Sequence, residues 1–175
     1  MIGKRWFTLV LGGSLVFAQP GRPGDRISRE VRHELLTLPY YGVFDNLEYR
    51  IDGSTVTLFG QVTQPVKKTD AERAVKSIEG VSRVINNIEV LPVSTMDDQI
   101  RIAVYRAIYG FPSLERYALQ AIPSIHIIVK NGNVTLVGAV ANEGDKDAAG
   151  IRAKSVAGVF SVNNDLKLDA ELSKR

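Results

Sequence analysis

The chain has 175 residues, 45% of them hydrophobic and 23% charged, an ordinary globular make-up with length for one domain or two small ones. It has no cysteine, which excludes a disulfide framework, a thiolate zinc site, a cysteine nucleophile and a lipidated N-terminal cysteine. The formal net charge of +3 comes without a dense Lys/Arg stripe, which argues against a nucleic-acid partner.

Met1 to Arg5 is a short basic start, followed by the uncharged, mostly apolar run Trp6 to Phe17, and Val16-Phe17-Ala18 fits a cleavage site after Ala18. Residues 1–18 are therefore expected to be an export signal, cleaved after Ala18. The run falls short of the roughly 20 residues that span a bilayer core. Residues 19–24, Gln-Pro-Gly-Arg-Pro-Gly, read as a turn-rich linker that separates this leader from the fold, against the alternative of a buried first strand or helix. No later segment is long and apolar enough for a membrane span.

From residue 25 the periods become legible. Ile27, Val31, Leu35 and Leu38 fall on one helical face, with Arg26, Arg29 and Arg32 elsewhere. Leu47, Tyr49 and Ile51 alternate up to a turn at Asp52-Gly53, and Val56, Leu58, Gly60 and Val62 return. A second helix is expected from about Val66 to Glu79, with Ala71, Ala74, Val75 and Ile78 inward and Gly80 as a left-handed cap. Val84, Ile88 and Val90 mark a last strand. After a short link at Pro92 to Ser94 the order starts again. Thr95 with Asp98 makes a capping box before Ile100, Val104, Ala107 and Ile108. Ile125 to Val129 leads through Asn131-Gly132 to Val134–Val140, a helix ends at Gly158, and Val162, Leu166 and Leu168 alternate. Gly60 and Gly138 interrupt their strands at one place, as a bulge or the close approach of a helix backbone would require.

The two halves are copies of each other. Val56-Thr57-Leu58-Phe59-Gly60-Gln61-Val62 recurs as Val134-Thr135-Leu136-Val137-Gly138-Ala139-Val140 at an offset of 78, which holds through Lys76–Val81 and Lys154–Val159. The first helices match at an offset of 73, so the second copy has extra residues between its first helix and first strand. The expected fold class is α+β: two tandem α-β-β-α-β modules, 25–92 and 95–170, each a small mixed three-stranded sheet packed against two helices.

This pattern resembles the BON domain, the bacterial osmotic-stress and nodulation module of envelope proteins. The V-x-L-x-G-x-V strand, present twice, and the G-V-x-x-V-x-N-x-(Ile/Leu) segment at Gly80–Ile88 and Gly158–Leu166 carry the resemblance, which covers nearly all of the chain after the linker. It implies periplasmic residence, a role in envelope integrity or osmotic stress and, for some members, binding of anionic phospholipid. It implies no catalytic residue and no cofactor. The second copy departs from a tidy pattern in having Arg152 where Ala74 stands.

A search for chemistry agrees. His33 and His126 fall in different modules with no second metal ligand at helical spacing, His126 being the outward position of its strand. No nucleophile elbow, Walker loop or dinucleotide fingerprint is present. The acids of Asn142 to Asp147 lack calcium-loop spacing and suit a helix start. No metal site, and no enzyme activity, is expected. Surface binding is what remains. Arg101, Tyr105 and Tyr109 lie at i, i+4, i+8, and Phe111, Leu114, Arg116 and Tyr117 follow in the elongated loop. Cations beside aromatic rings suit a phospholipid headgroup region. Copy one offers Arg26, Arg29, Arg32, Tyr40, Tyr41 and Phe44. The other reading is that these tyrosines pack against the other module or cap their own core. The partner classes are thus an anionic phospholipid surface or an envelope protein, the latter captured at a sheet edge or apolar patch.

Overall fold

The computed structural model describes residues 23–120 and 122–172. The leader expected over 1–18 and residues 19–22 of the linker lie outside the described residues. Pro23 and Gly24, expected as linker, instead open the first helix, α1 (Pro23–Leu36), where a proline needs no hydrogen-bonded N–H.

In the first module β1 (Asn46–Asp52) pairs antiparallel with β2 (Thr55–Val62), and α2 (Pro65–Lys76) crosses over to β3 (Arg83–Asn86) and β4 (Glu89–Val90), both parallel to β2. The second module repeats this with α3 (Thr95–Tyr109), a 3-10 turn at Glu115–Ala118, β5 (Ile125–Lys130), β6 (Asn133–Val140), α4 (Glu143–Lys154), β7 (Ser161–Asn164) and β8 (Lys167–Leu168), closing on α5 (Asp169–Leu172). The fold is the expected α+β duplication, with each third strand in two pieces. The asparagine of the repeated motif sits at the break. Asn86 Nδ2 donates to the Lys68 carbonyl on α2 (2.9 Å), and Asn86 Oδ1 accepts from Ile88 N (3.2 Å). Asn164 does the same with the Lys146 carbonyl (2.7 Å) and Leu166 N (3.4 Å). The side chain thus ties the interrupted strand to the crossover helix.

Each module has its own core. Ile27, Val31, Leu35, Val56, Leu58, Val62, Ala71 and Val75 are buried in the first. Ile100, Val104, Ile108, Ile127, Val134, Leu136, Ala149 and Ala153 fill the second. Removing such aliphatic side chains from water is the main stabilising term, about 25 cal/mol per Å². Gly60 and Gly138 have φ of 106° and 122°, and a Cβ there would lie 2.1 Å from the Asn46 carbonyl oxygen and 2.0 Å from that of Ser124. The backbone that approaches is therefore the paired strand's, not a helix's. Gly80 and Gly158 take the left-handed conformation expected of them (φ 91° and 87°).

Three local expectations are corrected. Ser94, not Thr95, caps α3: its extended backbone (φ −149°) turns the hydroxyl to accept from Asp97 N (3.2 Å). The first hairpin turns on Gly53-Ser54 rather than Asp52-Gly53, because Asp52 is still paired with Thr55. Only Gly53 has positive φ there, the pattern of a II′ turn, whereas Asn131 and Gly132 both do, as a I′ turn requires. Finally, α2 ends at Lys76, and Ile78 reaches the core from the turn that follows.

The modules pack against each other. Val43 of the first module accepts a backbone hydrogen bond from Ile127 N of β5 (2.8 Å), and the Phe44 ring meets Tyr105 edge-on at 6.2 Å. Tyr41 stacks on His126 (5.6 Å), and Lys130 pairs with Glu89 (2.5 Å). Leu91 and Ile128 are buried outside both cores and line one crevice of this seam. His126 does point outward from its strand, but into the other module. Burial lowers its pKa, with the backbone of Asp45 and Gly42 and the Asp45 charge acting the other way, and its Nδ1 has no hydrogen-bond partner.

Candidate functional site

The six cationic and aromatic residues expected to meet a headgroup lie along α3 and in the loop after it, and most of them face inward. Arg101 is 4% exposed. One of its Nη atoms donates to the Val129 carbonyl (2.7 Å), and the other binds Asp98. Tyr109 is 6% exposed and donates to the Ile125 carbonyl (2.5 Å). Burial raises its pKa well above the ordinary tyrosine value. With Val43 taking Ile127 N, these contacts close the outer edge of β5 at three successive outward-facing residues. An edge left open invites another strand, so the helix here seals its own sheet.

Tyr117 is buried too. It donates to Asp145 Oδ2 (2.6 Å), accepts from Ala141 N (2.9 Å), and has the Arg116 guanidinium over its ring at 4.9 Å. Arg116, with a side chain 53% exposed, binds Asp145. Burial of Asp145 favours the neutral form, but hydrogen bonds from Tyr117 and Arg116 and the Arg116 charge win and hold its carboxyl below the usual range. Tyr105 lies half-buried between Phe44 and Tyr109, and Phe111 lies half-buried beneath the Arg152 guanidinium at 4.0 Å. The expected cluster is corrected accordingly: these six do not form one exposed patch, because their polar atoms and rings are used inside the fold and at the seam. The reading in which the tyrosines cap their own core or meet the other module describes Tyr41, Tyr105, Tyr109 and Tyr117.

The first module has a counterpart of the Asp145 site at the same repeat position. Lys67, 78 residues before Asp145, donates to Asp45 Oδ2 (2.6 Å), and both side chains are buried, at 7% and 1% exposure. Asp45 also accepts from Thr63 N (2.8 Å) and Gly42 N (3.1 Å). Each module therefore ties its long loop to one backbone N–H and one helix position, but the charges are exchanged. In the first the loop is the anion and the helix the cation; in the second the reverse.

The large apolar side chains that the second module presents to solvent are Leu119 and Phe160 in loops and Met96, Ile102 and Ile151 on its two helices. The helices run antiparallel: Gly158, beyond the end of α4, lies near Ile100 early in α3, while Arg152 covers Phe111 just after α3. Ile102, 47% exposed, lies one turn before the exposed Arg106 on α3, and Ile151, 69% exposed, lies next to Arg152 and one turn before the exposed Lys154 on α4. The sequence reading missed this group. The available signal was that Ile102 falls off the Ile100–Val104–Ile108 stripe, two residues from its start. Among the described residues no cluster of three metal-ligating side chains occurs and no helix is long and apolar enough to cross a membrane.

Comparison with known proteins completes the picture. The BON domain family matches residues 24–92 and 113–170. Osmotically-inducible protein Y of Escherichia coli (strain K12) is 31% identical over 127 residues, covering 70% of this chain. The aligned region spans 61% of that protein's length. Among solved structures, the C-terminal domain of CdsD, described as the structural protein of the type III secretion system of Chlamydia trachomatis, overlaps 80% of this chain and 96% of its own at 14% identity. Its TM-score is 0.28, and a second CdsD structure gives 0.29 at 12% identity, too loose to establish a shared arrangement.

Proposed function

The chain belongs to the BON domain family, which it carries twice, and on that premise we propose that it is a non-catalytic periplasmic protein of the envelope that binds anionic phospholipid. The name of the Escherichia coli relative supports placing its role in osmotic stress. The observation that carries the lipid reading is the pairing of exposed isoleucines with cations on both helices of the second module, Ile102 one turn from Arg106 on α3 and Ile151 next to Arg152 and one turn from Lys154 on α4. Isoleucines at that level enter the headgroup boundary while the cations meet phosphate. Each cation near an anionic surface contributes about 1 kcal/mol, which makes the association weak and reversible.

Sedimentation with phosphatidylglycerol vesicles tests this. Replacing Arg106, Arg152 and Lys154 together by glutamine is expected to weaken binding about 100-fold, three such contributions, and 0.5 M salt to weaken the unaltered chain likewise. Equal binding to neutral phosphatidylcholine vesicles would sink the reading.

A further inference from the structure

The two modules differ at one strand edge, and the difference points to a second binding site. Leu47, Tyr49 and Ile51 of β1 stand where Ile125, Ile127 and Val129 stand in β5, since Leu47 faces Gly60 as Ile125 faces Gly138. Their N–H and C=O groups therefore point away from β2. In β5 each of the three has one outward backbone group engaged, the Ile125 carbonyl by Tyr109, Ile127 N by Val43 and the Val129 carbonyl by Arg101. In β1 the Tyr41 hydroxyl lies against the Leu47 backbone, but the residue at the repeat position of Arg101 is Ser28, whose short side chain stops at the Tyr49 hydroxyl (3.0 Å). Among the described residues nothing engages the outward backbone groups of Tyr49 and Ile51.

We propose that this edge of β1 takes up an extended polypeptide segment as an added strand. Two hollows meet at Tyr49. One, of about 1090 Å³, runs between Asn46–Glu48 and the second module's Ser124, His126 and Val137. The other, of about 710 Å³, lies beside Ile51 and Ser54. The second module lines the far side of the larger one. Main-chain hydrogen bonds supply affinity in such an addition and alternate side chains supply selectivity. Glu48, Arg50 and Asp52 are exposed and alternate in sign, so the fitting segment carries a base, an acid and a base at every second residue. Apolar residues between them lie beside Leu47, Tyr49 and Ile51.

The sequence of β1 meets this requirement opposite Glu48 and Arg50 and sets a neutral Asn opposite Asp52. Asn-Leu-Glu-Tyr-Arg-Ile-Asp laid antiparallel with its Tyr against Tyr49 puts Glu opposite Arg50, Arg opposite Glu48, and Leu opposite Ile51. That labelled heptapeptide is the probe, titrated against the full chain by fluorescence anisotropy with residue-resolved amide exchange. Binding is expected to slow exchange at Tyr49 and Ile51 and to leave Glu48 and Arg50 unchanged, because the latter already face β2. Arg50→Glu is expected to weaken binding about fivefold, with recovery when the peptide's Glu is replaced by Arg. No binding, binding indifferent to N-methylation of the peptide's Tyr amide, or protection confined to other residues overturns the assignment. The same protection appearing with chain concentration alone gives the edge to a second copy and overturns it too. Arg50→Glu should leave vesicle binding intact, which separates this site from the lipid-facing helices.

Discussion

Asn86 and Asn164 show how one side chain decides whether a strand can be interrupted. Each satisfies a helix carbonyl and a strand N–H at the point where the ladder to the central strand breaks. Asn86→Ala leaves Ile88 N without its partner and cuts the tie to the Lys68 carbonyl on α2, and a loss of about 1–2 kcal/mol is expected in urea unfolding, with Asn86→Asp recovering only the contact from Ile88 N. Gly138→Ala meets a harder obstacle, a strand carbonyl 2.0 Å from the new Cβ at a φ of 122°. A cost of more than about 2 kcal/mol by the same measurement is expected, against near-neutrality for alanine at Gly42, where a Cβ meets nothing within 4 Å. Gly60 and Gly138, like Asn86 and Asn164, stand out in the sequence because they recur at one offset. Arg101 does not: beside an apolar stripe an arginine reads as surface, and no pattern in the chain marks the Val129 carbonyl that buries it. Carbonyl partners are invisible to a reading based on side-chain periodicity.

At the scale of elements the two long loops are held in different ways. Asp45 and Lys67 are both buried, so Asp45→Ala strands a cation and is expected to cost about 3 kcal/mol in chemical denaturation. Arg116→Ala is expected to cost much less, because that side chain is half exposed and water can take its place at Asp145. The second tether is also acid-sensitive. Asp145 has a folded pKa below its unfolded value, so its contribution is present above the unfolded value near 4 and disappears as pH falls through the folded one. The difference in urea midpoint between the native chain and Asp145→Asn should therefore be larger at pH 7 than at pH 3. The helices, hairpins and their order were legible because their apolar periods and the turn glycines Gly53 and Gly132 are local, although Asp52 stays in its strand and the first turn falls on Gly53-Ser54. The loops were not, because Asp45 and Arg116 take their meaning from partners 22 and 29 residues away.

For the whole molecule the seam governs pH response. His126 resists protonation beneath Tyr41, while in the unfolded chain it titrates near 6.5. Its folded pKa being the lower, the stabilisation is complete above about pH 6.5 and declines as the solution is acidified below that value. Between pH 7 and pH 5 the native chain should lose more stability than His126→Phe, and equal losses would exclude the histidine as the cause. The seam itself escaped the sequence, since strand alternation places His126 and Ile128 on an outer face without saying what lies over it. The exchanged charges of the two tethers bear on a hazard of every duplicated chain, that one half assembles with parts of the other. Docking the first loop on the second module would bring Asp45 to Asp145, and the converse error would bring Arg116 to Lys67. Either miswired product sets like charges together in a desolvated place, so each half rejects its sibling's loop and threads its own.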